Sequence, residues 1–246
     1  MKLLSFNTWG CRIKPVFDFI RNNSDAEVIC LQEVMKGGSR ETERHEITNS
    51  FEVIGKLLPD HVGYFSKYIH ASHYGQEPKD FQFGLATYVK TSTHHSFYKS
   101  IELLDAHRKW NDYSGRFAGG VAHAVVVDGF AIINVHGLWQ DLVIEDTEAK
   151  MEESRMLINF SNEMKGKRII CGDFNVTQNT RPIRILNNAF TNLIDTYNIS
   201  DTRGPLYKGP NRFADYVFVD SQIQVTSFDV PNVAISDHLP LILKFN

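Results

Sequence analysis

The chain has 246 residues, 42% hydrophobic and 22% charged, which is globular composition with enough apolar material to bury a core without disulfides or structural metal. Its formal charge of −3 excludes a global basic field, so any grip on a polyanion must be local. Cys11, Cys30 and Cys171 show no metal-ligand spacing and are odd in number, which reads as reduced thiols in a cytoplasmic protein. No apolar run nears the ~20 residues of a membrane span, and the amino terminus turns polar too soon for a signal peptide.

Residues 2 to 6 read as a strand that stops at Asn7-Thr8-Trp9-Gly10. Pro15 opens an amphipathic helix to about residue 22, with Val16, Phe17, Phe19 and Ile20 apolar. Val28 to Leu31 is a second buried strand ending at Gln32-Glu33. After the turn Lys36-Gly37-Gly38-Ser39, Ser39 or Thr42 can cap a helix to about Leu58. His61 to Ile69 and Gln82 to Val89 read as strands separated by the loop His70 to Phe81. Another strand, Ser96 to Leu104, precedes a loop from Asp105 to Gly120.

Val121 to Val127, the Asp128-Gly129 turn and Phe130 to Val135 have the pattern of a hairpin, which delivers His136-Gly137-Leu138-Trp139. A helix from about Thr147 to Met164 is opened by acids that suit its dipole. The run Lys167-Arg168-Ile169-Ile170 is a buried strand leading to Cys171-Gly172-Asp173-Phe174-Asn175. A helix near Pro182 to Asn188, a strand near Leu193, and strands at Asp215 to Val219 and Ile223 to Phe228 follow. Ser236-Asp237-His238-Leu239-Pro240 enters the last strand, Leu241 to Phe245. No linker or repeat divides the chain, so a single domain over residues 1–246 is expected, built as two packed sheets flanked by helices.

Polar residues gather at the ends of these strands: Asn7, Glu33, His136, Asp173 with Asn175, and Asp237 with His238, while Asp215 begins one. Strand ends converge along one edge of a sheet, where sites form. Singly, each has an ordinary reading: Glu33 as a strand-end cap, His136 as a core histidine, Asp215 as a turn, and Gly-Asp-X-Asn as a loop. As a set they offer hard oxygen ligands and imidazoles without a thiolate, the chemistry of Mg²⁺ and phosphate rather than zinc. Asp173 and Asn175, two apart, share one side of an extended chain and can orient a water and hold a phosphate oxygen.

Leu4-Ser5-Phe6-Asn7, Leu31-Gln32-Glu33-Val34, Asn134-Val135-His136, Gly172-Asp173-Phe174-Asn175, Asp215-Tyr216-Val217-Phe218-Val219 and Ser236-Asp237-His238-Leu239-Pro240 resemble, in order, the motifs of the endonuclease/exonuclease/phosphatase superfamily. The resemblance implies a DNase I-like four-layer α/β/β/α sandwich with one cleft at the top of both sheets. It implies Glu33 as the principal Mg²⁺ ligand, with Mn²⁺ as a substitute, helped by Asn7 and by Asp237 directly or through water. Asp173 would orient or deprotonate the attacking water, and Asn175 would hold that water or the phosphate. His238, kept cationic by Asp215, would sit on the non-bridging oxygens, with His136 as a second phosphate donor. The general base stays open between Asp173, which we favour, and the His238–Asp215 pair. One strong metal site is expected, with room for a weaker one near Asp173 and Asn175.

The implied activity is Mg²⁺-dependent hydrolysis of a phosphodiester by an in-line water, with DNA or RNA as the first substrate class. Phospholipids or inositol phosphates come second, and a silent phosphate-binding scaffold third. Basic residues cluster near the motifs: Arg12, Lys36, Arg40, Arg108, Lys109, Arg116, Arg181, Arg184, Arg203, Lys208 and Arg212. With Tyr74, Trp110, Tyr113 and Trp139 they could track a nucleic-acid backbone and stack bases. Arg116 and Trp139 are expected to touch substrate alongside Asn175 and His136. Neither stable membrane association nor an obligate protein partner is expected.

Overall fold

Strand alternation sends every second side chain to a different layer, and the two faces of β1 (Lys2–Asn7) and β2 (Val28–Lys36) show how. In the computed structural model, which describes residues 1–68, 80–103, 117–118, 120–140 and 146–246, Leu4, Phe6, Ile29 and Leu31 face α1 (Pro15–Asn22) and α2 (Ser50–Leu57). They pack there on Val16, Ile20 and Ile54. Leu3, Val28 and Cys30, one step out of phase, pack in the cluster shared with the second sheet.

The first sheet also holds β3 (His61–Lys67), β4 (Gln82–Lys90), β13 (Val225–Asp229) and β14 (Leu241–Phe245), in the order β13-β14-β1-β2-β4-β3. The second holds β5 (His95–Glu102), β7 (Val121–Val127), β8 (Phe130–His136), β10 (Lys167–Asp173), β11 (Thr191–Asn192) and β12 (Asp215–Val219), in the order β11-β12-β10-β8-β7-β5. A short ribbon pairs β6 (Phe117–Ala118) with β9 (Trp139–Gln140). Each large sheet has one parallel pair at its centre, β1 with β2 and β8 with β10, and antiparallel pairs elsewhere. A parallel pair needs a crossover, supplied by α1 in the first sheet and by α3 (Glu148–Asn162) in the second. Leu157 and Phe160 of α3, with Ile183 and Leu186 of α4 (Arg181–Asn187), cover the outer face of the second sheet and complete four layers.

Three segments depart from the sequence expectation. The helix expected from Ser39 or Thr42 begins only at Ser50. Residues 38–48 instead fold back, with Glu41 bridged to Ile47 and Gly38 N–H donating to Thr48 O at 3.1 Å. The cause is Glu46, buried and paired with Arg12 at 2.6 Å, a partner 34 residues earlier. Leu193 starts the short helix α5 (Leu193–Thr196) rather than a strand, because the Asn192 side chain accepts from Ile194 N–H at 3.0 Å and caps it. The strand β2 does not stop at Leu31 but runs on to Lys36 through a bulge: Leu31 pairs with Ala86 and Val34 with Gly84, so Gln32 and Glu33 together face one residue.

A buried polar seam joins the sheets beneath that bulge. Gln32 Nε2 donates to Asn134 Oδ1 at 2.7 Å, and Asn134 Nδ2 lies 3.0 Å from Ala86 O, 3.3 Å from Leu31 O and 3.2 Å from Thr87 Oγ1. His123 spans Thr87 Oγ1 at 2.5 Å and Ser66 Oγ at 3.0 Å. Buried amides and carbonyls are costly when unpaired, and here they find partners across the core, with Gln32 Oε1 the exception. Asn134→Ala strands Gln32 and two carbonyls; we expect a loss of about 3 kcal/mol in urea unfolding with unchanged m-value, and a loss under about 1 kcal/mol would show that the seam contributes little.

Candidate active site

Register alone brings three site residues into a row. Asp173 closes β10 with His136 beside it on β8 and Asp215 on the other side, at the start of β12. Gly172, at φ +138°, permits this approach: a Cβ there would lie 2.0 Å from Val135 O. Asn7, at the end of β1 and next to Gln32, reaches over from the first sheet. Its Nδ2 donates to Asp173 Oδ2 at 2.9 Å and to Glu33 Oε1 at 3.3 Å, while its Oδ1 accepts from Trp9 N–H at 3.0 Å. In this orientation Asn7 ties the carboxylates together; presenting Oδ1 to a metal requires turning the amide over.

Glu33 is aimed by the bulge, at φ +57°. Thr8 Oγ1 holds the carbonyls of Gln32 and Glu33 at 3.0 and 3.2 Å, and Glu33 N–H donates to Tyr68 Oη at 3.2 Å. The same hydroxyl sits 2.6 Å from His136 Nδ1. His136 Nε2, on the other side of the ring, lies 3.6 Å from Asp173 Oδ2. Burial pulls His136 down to about 4, so the ring is neutral at pH 7.

On the far side His238 Nε2 also lies 3.6 Å from Asp173 Oδ2, and His238 Nδ1 is 2.7 Å from Asp215 Oδ2. Arg203 Nη1 contacts His238 Nε2 directly. Burial, aided by this guanidinium, pulls His238 down to about 4, whereas burial and the Asp173 charge push Asp215 up. Arg203 stands against this pair as a permanent cation. Burial alone would push Asp173 up as well, but His238, His136, Arg203 and Asn175 N–H outweigh it and hold the carboxyl below its ordinary value. Asp173 Oδ1 accepts from that N–H at 2.8 Å, and Asn175, at φ +51°, donates Nδ2 to Gly137 O at 3.1 Å.

Asp237 is less buried; its Oδ1 accepts from Ser236 Oγ at 3.4 Å and its Oδ2 is 4.0 Å from Arg203 Nη1. Of the expected substrate contacts, Trp139 stands partly exposed in β9 opposite Ala118, and Arg116 lies outside the described residues, as do Tyr74, Arg108, Lys109, Trp110 and Tyr113. Several rim arginines are engaged with acids: Arg12 with Glu46, Arg40 with Asp80, Arg181 with Asp146 and Arg212 with Asp201.

Four residues at or under the site were not singled out as site residues from sequence. Tyr68 and Arg203 touch the histidines, and Lys150 and Glu153 brace the loops from α3. Lys150 Nζ donates to Asn175 O at 2.8 Å, and Glu153 Oε1 accepts from Leu138 N–H at 2.9 Å. Both are buried; burial brings Lys150 down to about 8 and pushes Glu153 up to about 8. A Lys-x-x-Glu pair on one helix, read against an otherwise buried face, was the available signal.

A hard divalent cation fits these donors. Burial, then the charges of Asp237 and Asp173, raise Glu33 to about 8, which marks a cluster of acids short of positive charge. Asp173, Asp215 and His238 also offer ligand atoms within 4.8 Å of one another. There, however, Nδ1 is engaged with Asp215 and Nε2 faces a guanidinium, so the donors at Glu33 suit a cation better.

The raised Glu33 has a consequence for stability. Between its ordinary value of 4.5 and about 8, the unfolded chain releases the proton and the folded chain keeps it, so stability falls as pH rises across that window. In EDTA we expect Tm to drop from pH 5 to pH 8 and Glu33→Gln to flatten part of that drop; a calorimetric scan in which the variant keeps the full slope would refute it.

Two mixed sheets that bring acids and imidazoles together at the ends of their parallel strands define a class, the hydrolases that act on phosphoester bonds. The model of the Endonuclease/Exonuclease/phosphatase family matches residues 4–238, and the chain belongs to that family. Among solved structures, a mannosyl-6-phosphatase from Bacteroides thetaiotaomicron is similar at 15% identity and TM-score 0.73, covering 100% of this chain and 99% of that one. An endonuclease/exonuclease/phosphatase from Bacteroides vulgatus is 16% identical at TM-score 0.69, with 100% and 98% covered. The human Nocturnin catalytic domain, with a bound sulfate anion, is 15% identical at TM-score 0.68, with 100% and 93% covered. At these identities the likeness is one of fold. No curated protein matches the chain by sequence.

Proposed function

We propose that this protein is a Mg²⁺-dependent phosphodiesterase that cleaves DNA or RNA, with Asp173 as the general base. The observation that carries the reading is the setting of Asp173: buried, accepting from Asn7 Nδ2 and Asn175 N–H, with His136 Nε2 and His238 Nε2 each 3.6 Å away. Such a carboxylate can take a proton from water as the water oxygen attacks phosphorus and the leaving oxygen departs in line. His136 offers Nε2–H to the phosphoryl oxygens, and Asn175 orders the backbone around the base. Mg²⁺, or Mn²⁺ in its place, would be held by Glu33 with Asp237 and Asn7 and would supply positive charge to oxygens that gain negative charge in the transition state.

Nucleic acid is the proposed partner, with no stable membrane association; among the described residues no helix is long and apolar enough to cross a membrane. A second reading, hydrolysis of a phosphomonoester such as a sugar or inositol phosphate, is favoured by the rim arginines. Among the described residues, Arg12, Arg40, Arg181 and Arg212 are paired with acids, which leaves less positive charge there for a polyanion. The resemblance in fold to a mannosyl-6-phosphatase supports the same alternative.

The test is metal-dependent cleavage of end-labelled single-stranded DNA, duplex DNA, abasic duplex and RNA, alongside mannose and inositol phosphates, with EDTA and Glu33→Gln controls. Cleavage of a nucleic acid that both controls abolish is expected; activity on monoesters alone would select the second reading. Asp173→Asn should lower kcat by at least ~100-fold, and near-normal turnover would remove it as the base.

A further inference from the structure

We propose that Arg203 binds the non-bridging oxygens of the phosphoryl group under attack, a role that rests on the phosphoester reading above. The segment that carries it is zipped to the site by backbone hydrogen bonds. Gly204 N–H donates to Asp237 O at 2.8 Å and Leu239 N–H to Thr202 O at 2.9 Å, and Thr202 Oγ1 accepts from Ala214 and Asp215 N–H at 3.0 and 3.1 Å. The guanidinium is stacked 4.5 Å over the Tyr207 ring, which sets its plane.

What that plane lacks is partners. A guanidinium has five N–H donors, and the hydrogen bond given to this one, among the described residues, is that to His238 Nε2. Nε is buried without a partner, and the nearer Asp237 oxygen stands off at 4.0 Å. The residue is only 8% exposed. Asp173, Asp215 and Asp237 stabilise the buried charge, but they leave N–H donors of the fork without acceptors, and an anion with several acceptor oxygens completes them. A phosphoryl group does so with two parallel hydrogen bonds to one fork. The position is right for it, near Asp173, Asp215 and Asp237 and in contact with His238, where the acids alone would repel a phosphate.

A purely structural arginine, one that only stacks on Tyr207 and orders His238, would leave phosphate affinity in the folded protein alone. Binding of inorganic phosphate is therefore measured by calorimetry for the wild type, Arg203→Met and Arg203→Lys, with and without Mg²⁺, and thermal melts confirm the folded state. Arg203→Met should weaken phosphate by at least ~10-fold, with Arg203→Lys in between because it keeps the charge and loses the fork. Affinity within twofold of wild type in folded Arg203→Met overturns the proposal, as does a wild type that binds no phosphate. Where Arg203→Met does not fold, the same comparison with Arg203→Lys decides. Turnover of p-nitrophenyl phosphate and bis(p-nitrophenyl) phosphate separates the two readings. A wild type that binds phosphate through Arg203 but hydrolyses neither ester nor any nucleic acid leaves this inference standing and removes the proposed function.

Discussion

The seam of amides between the two sheets is the constraint on which the rest depends. Apolar side chains alone would let the sheets slide, because hydrophobic contact is non-directional. Gln32 and Asn134 hold them in one register, since any slip leaves buried amide and carbonyl groups unpaired. Asn134 accomplishes this by serving carbonyls at the point where the β2–β4 ladder is interrupted. The bulge is thus stabilised from the opposite sheet, and the residue it re-aims is Glu33. One turn of chain above, Asn7 joins Glu33 to Asp173, so site geometry follows directly from how the core is keyed.

Charge at the site is deliberately uneven. Four carboxylates, Glu33, Asp173, Asp215 and Asp237, meet two imidazoles driven neutral by burial and one guanidinium. Neighbouring acids respond in opposite ways: Asp173, ringed by donors, is held below its ordinary value, and Glu33 is raised by burial and then by the charges of Asp237 and Asp173. Environments that separate like groups in this manner let two carboxyls of one site differ in protonation.

Much of this was legible in the sequence where the information is local. The strand ends carrying Asn7, His136 and Asp173 lie where apolar alternation stops, and the Asp128-Gly129 turn fixes which strands precede them. Glu33 was placed at a strand end, yet it sits inside one, because the bulge is imposed by Thr8, Tyr68 and Asn134 from distant segments. The helix expected over residues 39–58 failed in its first half for a similar reason: Glu46 has helical propensity but is anchored to Arg12. Leu193 was misassigned for a local reason, since the capping of Asn192 outweighs the β-character of its neighbours. Arg203 and Tyr68 gain meaning only from what stands opposite them in space, which no spacing along the chain conveys, whereas Lys150 and Glu153 leave one local trace, their shared helix face.

The hydroxyl of Tyr68 couples features carried by different sheets. It receives a hydrogen bond from Glu33 N–H at the bulge and lies 2.6 Å from His136 Nδ1 at the end of β8. One buried phenol therefore ties the backbone that aims Glu33 to the ring beside Asp173, so the placement of the carboxylate and the orientation of the imidazole are not independent.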